Sequence, residues 1–145
     1  MVIEVRENGV LYGIIIRHGY DRDGVSFFTP DDFSQQLAFM KHPVGKVIKP
    51  HVHNRHLREV YYTQEVLFIR KGRLRVDFFN RAQEYYKSYI LEAGDAILLT
   101  DGGHGFEVLE PLEMIEVKQG PYSGELDKIV FRDTPPDHVS IEEAP

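Results

Sequence analysis

The chain contains no cysteine, which excludes disulfide bonds and thiolate metal ligands. Any metal site must therefore use imidazole and carboxylate groups. Basic residues are not in excess either, since 17 Lys and Arg stand against 23 Asp and Glu and give a formal net charge of -6. Nucleic acids and anionic membranes bind to basic surfaces, so neither is expected as a partner.

Long apolar runs are also missing. No run approaches the roughly 20 residues that span a bilayer, and Met1 is followed by VIEVRENG rather than by a basic and then apolar leader. We therefore expect a cytoplasmic protein. With 145 residues, 42% of them hydrophobic, the simplest organisation is one globular domain over 1–145, with its core at about 38–122 and a C-terminal arm at 123–145.

Apolar alternation and frequent turn residues predict short strands. Glu7-Asn8-Gly9 lies between two apolar runs, which is typical of a hairpin. In RLRVDFFN, Leu74, Val76 and Phe78 fall on one face, as in a half-buried antiparallel strand. Further strands separated by breaks every eight to twelve residues follow as far as Tyr122, which indicates an all-β sandwich or barrel.

Little of the chain is left for helices. We expect a loop in YDRDGVSFFTPDD and one short helix at about Pro30 to Gln36, because Thr29 offers an N-cap and Pro30 suits the first helical position. In the arm, only KIVF, residues 128–131, has the pattern of a strand.

The segment from Gly45 to Gly72 carries most of the candidate chemistry. His51 and His53 are separated by one residue, so in an extended segment both imidazoles leave the same face and can converge on one ion. Pro50 disfavours a helix here, and HVH is expected to start or edge a strand.

Three further residues are candidate ligands in addition to His51 and His53. Glu65 opens the apolar run EVLFIRKG, which predicts a buried strand, and Glu59 is a rival carboxylate because eleven residues separate His53 from Glu65. His104 follows the strand-like GDAILLT in the glycine-rich sequence DGGHGF. Three histidines and one glutamate would leave positions open on an octahedral ion such as iron, manganese, nickel or zinc.

Other polar residues are candidates for contact with a substrate. In MIEVKQGPY, Glu116 and Lys118 share one face of a predicted strand. If that face lines a barrel, the pair could bind an anionic or hydroxylated substrate or transfer protons; if it faces outward, it is a salt-bridged surface. His56 is an alternative ligand, a substrate contact or an exposed loop residue.

The spacing resembles the two motifs of the cupin superfamily. Gly45 is followed by five residues and then by His51-Val52-His53, and Glu65 is followed by six residues and then by Gly72, as in the first motif. The stretch from Gly94 to His104 approximates the second. The resemblance implies a small single-domain cupin, an antiparallel double-stranded β-helix or jelly-roll barrel with at most one or two short helices, whose divalent transition metal is bound by His51, His53, Glu65 and His104.

The cupin fold hosts several activities, so three functions stay open. The first is a metal-dependent isomerase or epimerase acting on a small polar substrate such as a sugar, with Glu116, Lys118 or His56 moving protons. The second is an iron-dependent dioxygenase, and the third is a non-catalytic module that binds a small ligand. Antiparallel sheet edges make a homodimer the expected assembly.

Overall fold

A computed structural model describes residues 1–132, 134 and 136–142 of the chain. The backbone forms two compact units, which are described separately. Unit 1 comprises Met1–Tyr20 and Tyr62–Pro145, and unit 2 comprises Asp21–Tyr61. The prediction of a single domain over 1–145 stays a prediction, and the part of the predicted arm at 133, 135 and 143–145 lies outside the described residues.

The prediction of an all-β protein is confirmed. Ten strands form three antiparallel sheets, none of which closes on itself within the described residues, and two single turns of 3-10 helix, Gly124–Leu126 and Pro136–His138, follow the last strand. The strands are β1 (Val2–Glu7), β2 (Val10–Ile16), β3 (Gly24–Phe27), β4 (Ala38–Lys41), β5 (Glu65–Lys71), β6 (Arg73–Phe79), β7 (Tyr85–Glu92), β8 (Ala96–Leu99), β9 (Gly103–Val108) and β10 (Glu113–Lys118).

Unit 1 contains two of the sheets. The first sheet has the strand order β1-β2-β8-β5-β10, and the second has the order β7-β6-β9. The predicted hairpin near the N-terminus is confirmed, because β1 pairs with β2 through a turn in which Asn8 and Gly9 both have positive φ, 49° and 82°. Such a turn matches the twist of the paired strands.

One apolar core lies between these two sheets. Leu67 from the first sheet and Leu74, Val76 and Phe78 from the second are completely buried in the same cluster. The predicted face of β6 is therefore confirmed. The core also explains Gly13 of β2, since a Cβ there would lie 2.9 Å from Cε1 of the Phe78 ring.

The strand register fixes which side chains share the core face. On β10, Glu116 lies opposite Leu67 and Lys118 lies opposite Glu65, so these two charged residues share the inner face of the first sheet. On β9, His104 lies opposite Phe78, so its imidazole belongs to the inner face of the second sheet. Polar residues therefore follow the apolar core at one end of both sheets.

Unit 2 contains the hairpin of β3 and β4. The loop predicted for this region is wrong at Gly24–Phe27, which is a strand, and the short helix predicted at Pro30 to Gln36 is also wrong. The Gln36 side chain satisfies backbone carbonyls there, since its Nε2 donates to Pro30 O at 2.9 Å and to Phe33 O at 3.1 Å. Side chain to backbone bonds of this kind compete with the helical ladder.

The predicted strand at KIVF is wrong as well. Residues 128–131 have no regular secondary structure, although Phe131 packs its ring against Phe79 with centroids 5.0 Å apart. A later part of the arm contacts the edge of the second sheet, because Ile141 forms an isolated parallel bridge with Ser88 of β7. In the part of the chain that is described, no helix has the length and apolar character needed to cross a membrane.

Candidate functional site

Glu65 marks the position where the apolar inner face of the first sheet becomes polar. It is the first residue of β5, on the face of the buried residues Leu67 and Ile69, and lies between Leu99 of β8 and Lys118 of β10. Its side chain is only 16% exposed. A carboxylate held at the end of a core requires a cationic or hydrogen-bonding partner.

His104 supplies such a partner from the other sheet. Its Nε2 lies 3.2 Å from Oε2 of Glu65, and its ring packs against Phe106 at a centroid distance of 5.3 Å. The hydrogen bond from His104 lowers the pKa of Glu65; burial acts in the opposite direction, and the charge of Lys118 adds to the lowering. Two of the four predicted metal ligands are thus brought together on the core side of both sheets.

Lys118 lies on the other side of Glu65 and has three carboxylate neighbours. Its Nζ is 3.3 Å from Oε1 of Glu116, 3.6 Å from Oδ2 of Asp127 and 3.7 Å from Oε1 of Glu65. The hydrogen bond and charge of Glu116 are the main reason that the pKa of Lys118 is raised. Lys118 therefore remains an ammonium ion at neutral pH and is suited to donate hydrogen bonds rather than to accept a proton.

These contacts give the cluster a net negative charge. Three carboxylates surround one ammonium group, so Glu65, Glu116, Asp127 and Lys118 together carry a charge of minus two when all are ionised. An electronegative site with carboxylate and imidazole donors is chemically suited to a divalent cation.

The two remaining predicted ligands lie in unit 2. His51 and His53 are exposed neighbours, with ring centroids 5.4 Å apart at an interplanar angle of 84°. The prediction that HVH starts or edges a strand is wrong, because residues 42–64 contain no strand. Nδ1 of His51 donates to Lys49 O at 3.0 Å, which leaves Nε2 as the nitrogen free to bind a metal.

His56 and Glu59 occupy the same irregular segment of unit 2. His56 is exposed, and Glu59 accepts a hydrogen bond from the Tyr61 hydroxyl at 2.9 Å. Within neither unit do the described residues bring three His, Asp or Glu side chains together as a ready metal site. The candidate ligands instead occur as two pairs, Glu65 with His104 in unit 1 and His51 with His53 in unit 2.

Asp127 and Thr63 belong to the cluster but are not identified from the sequence. Oγ1 of Thr63 donates to Oδ1 of Asp127 at 3.1 Å, while the other carboxylate oxygen faces Lys118. Asp127 directly follows the 3-10 turn Gly124–Leu126, within the segment interpreted as an arm outside the core. No local pattern marks it, because its contacts depend on how the chain folds back after β10.

No protein-family model, curated protein or solved structure matches this chain. The cluster in unit 1 and the histidine pair in unit 2 are therefore interpreted from their own chemistry.

Proposed function

We propose that the protein is a metal-dependent enzyme of the cupin type that acts on a small polar substrate such as a sugar or sugar derivative. The observation that carries this proposal is the contact of Glu65 with His104 across the two sheets of unit 1. Both residues are ligands implied by the motif resemblance, and they come from strands that are far apart in the sequence. A chance pair of solvated side chains has no reason to meet at the end of a core.

The donor set fits a divalent transition metal. Imidazole and carboxylate groups suit iron, manganese, nickel and zinc, and the net charge of minus two around Lys118 favours a cation. His51 and His53 of unit 2 are the other two ligands that the motif resemblance implies. In support, the hydrogen bond from His51 to Lys49 O fixes the tautomer that leaves Nε2 free.

A bound ion would act as a Lewis acid that polarises a substrate carbonyl or enediolate. The chain's own residues would orient the substrate and move protons. Lys118, whose pKa is raised chiefly by Glu116, donates a hydrogen bond or a proton, and Glu116 accepts one. His56 is a further candidate for moving protons.

The proposal also includes a jelly-roll fold, a homodimer and a cellular location. Two antiparallel sheets around one apolar core support a jelly-roll arrangement. All six residues of β10, which is an edge strand of the first sheet, are exposed, and this supports a homodimer that covers the edge. A cytoplasmic location and small-molecule substrates complete the proposal.

The test is the metal content of the protein, purified without chelator or histidine tag and measured by inductively coupled plasma mass spectrometry. We expect stoichiometric metal in the parent, with loss of metal in His104→Ala, His51→Ala and Glu65→Gln. His138→Ala is the matched control, because this histidine is exposed and lies beside Asp137 in the arm. It should retain the metal.

The identity of the metal would then distinguish an isomerase or epimerase from a dioxygenase. A redox-inert ion favours the isomerase or epimerase reaction, whereas iron favours the dioxygenase reaction. Absence of metal after reconstitution with iron, manganese, nickel and zinc would overturn the enzyme proposal and favour a ligand-binding module.

A further inference from the structure

Lys118 lies in the cluster without a tight ion pair. Its three carboxylate neighbours come from β5, from β10 and from the segment after the 3-10 turn Gly124–Leu126, and their distances are 3.3, 3.6 and 3.7 Å. Direct charge-assisted bonds between nitrogen and oxygen are shorter, at about 2.7–2.9 Å. An ammonium group has three N–H donors, one for each of these long contacts, so a ligand hydroxyl can replace a long contact and form a shorter bond with Lys118.

Asp127 is held in a defined orientation beside this lysine. Thr63 donates to Oδ1, so Oδ2 is the oxygen directed at Lys118, and the Asp127 side chain is 18% exposed. Lys118 and Glu116 are more accessible, with side chains 31% and 42% exposed. A ligand can therefore reach the ammonium group and the carboxylates from solvent, while Thr63 keeps Asp127 in place.

We infer that Lys118, Asp127 and Glu116 form a binding subsite for adjacent hydroxyl groups of a neutral ligand, next to the Glu65 and His104 pair. A hydroxyl group accepts one hydrogen bond and donates another, so it can accept from the ammonium group and donate to a carboxylate. Two neighbouring hydroxyls can each bond Lys118 while one donates to Asp127 and the other to Glu116. The inference rests on the proposed function in that it names the substrate's chemical class.

Charge decides between neutral and anionic ligands. The cluster carries a net charge of minus two, so a phosphate or carboxylate placed there would gain one attraction from Lys118 and face repulsion from Glu65, Glu116 and Asp127. A vicinal diol has no such repulsion. The subsite therefore selects a polyhydroxylated, uncharged part of the ligand.

The experiment measures sugar binding to the full chain after treatment with EDTA, so that it does not depend on a metal. D-glucose, D-mannose, D-fructose and L-rhamnose are titrated into isotopically labelled protein up to tens of millimolar, and D-glucose 6-phosphate and D-gluconate serve as anionic probes. We expect at least one neutral sugar to shift the amide signals of Lys118 and Asp127. The anionic probes should bind more weakly than the neutral sugars.

Variants test the residues themselves. Asp127→Asn keeps the shape but removes the charge, and it should raise the dissociation constant of the neutral sugar by about tenfold. Thr63→Val should weaken binding less, and it provides a second test if Asp127→Asn folds poorly. Asp137→Asn, at an exposed position of the arm, is the matched control and should bind like the parent.

Several results would overturn the inference: no binding of any neutral sugar, unchanged affinity in Asp127→Asn, or tighter binding of an anionic probe. The metal measurement distinguishes this failure from failure of the proposed function. Stoichiometric metal without sugar binding would remove only the diol subsite. Sugar binding that depends on Asp127, in a chain that takes up no metal, would support the subsite and remove the metalloenzyme.

Discussion

Glu65 and Lys118 are direct neighbours across β5 and β10, with Nζ of the lysine 3.7 Å from one oxygen of the carboxylate. The other oxygen of Glu65 contacts His104. One carboxylate is thus shared by a permanent cation and by a histidine that the proposal makes a metal ligand. Because like charges repel, Lys118 and a metal ion would compete for the charge of Glu65.

The first prediction concerns this competition. Lys118→Met removes the ammonium group and keeps much of the side-chain volume, so the affinity for a divalent metal should rise by about fivefold, or ~1 kcal/mol. The expected change in affinity is small because the Lys118 side chain is 31% exposed and its charge is screened by solvent. A competition titration of zinc against a chromophoric chelator measures the effect.

Lys71→Met is the control for that titration. Lys71 lies at the far end of β5, where its ammonium group is 3.9 Å from Glu113, and its removal should leave the affinity for zinc unchanged. A lower affinity in Lys118→Met would instead mean that Lys118 supports the ligands rather than competing with the metal.

The second prediction concerns the core under the site. Gly13→Ala places a Cβ 2.9 Å from Cε1 of Phe78 and 3.1 Å from the Leu98 carbonyl oxygen, so side chains or backbone must shift. Overpacking of this kind should lower the free energy of unfolding by about 1–3 kcal/mol. Urea denaturation measures it, with Gly105→Ala as control because the nearest atom there is at 3.8 Å. Equal stabilities would contradict the tight contact.

The sequence predicts strands where residues alternate with a period of two, whereas it misses the strand Gly24–Phe27 and wrongly predicts one at HVH. Leu74, Val76 and Phe78 are completely buried, as their spacing indicates, and Asn8-Gly9 forms the expected hairpin turn. The same kind of pattern wrongly predicts a strand at KIVF, residues 128–131. Its apolar residues suggest a strand, but only Phe131 finds a packing partner, while Ile129 and Val130 remain exposed.

The candidate site is only partly predictable for a physical reason. Glu65 and His104 are identified from the sequence because they occupy ligand positions in the motif spacing. Lys118 is identified because it shares a strand face with Glu116. Asp127 is not found, since its hydrogen bond joins residues 64 positions apart. The turn that returns the chain to Thr63 has no periodic signal of its own.

The third prediction concerns the docking of the arm on β7. The Tyr85 hydroxyl accepts the Ser140 N–H at 2.8 Å and lies 2.8 Å from the Ser88 hydroxyl. Tyr85→Phe removes that acceptor and should raise the hydrogen exchange rate of the Ser140 amide by about fivefold, as expected for the loss of ~1 kcal/mol.

Two-dimensional NMR of the exchanging protein measures the Ser140 rate directly. Tyr86→Phe is the matched control, because the Tyr86 hydroxyl donates to Arg6 O at 2.7 Å and not to the arm. It should leave the exchange of Ser140 as in the parent. If Tyr85→Phe also leaves that rate unchanged, the backbone bonds to Ser88 and the ion pair of Lys87 with Glu142 hold this part of the arm without the tyrosine hydroxyl.

The fourth prediction concerns Asp95, whose side chain is 1% exposed. Its carboxylate accepts hydrogen bonds from the His18 and Glu92 backbone N–H groups, at 2.8 and 3.0 Å, and from Nη1 of Arg17 at 2.8 Å. Burial raises the pKa of Asp95, but these bonds outweigh it and hold the pKa below 3.8. Asp95→Asn should lower the free energy of unfolding by about 2–4 kcal/mol at neutral pH.

The pH dependence of this loss has a definite sign. Because the pKa of Asp95 is lower in the folded than in the unfolded chain, its ionised form stabilises the fold fully above the unfolded pKa, near 3.8. That contribution is lost as the pH falls through the folded pKa. The difference between parent and Asp95→Asn in urea denaturation should therefore shrink below about pH 4. Asp137→Asn, at an exposed position, should match the parent at every pH, and a difference for Asp95→Asn that grows with acid would contradict an ionised Asp95 in the fold.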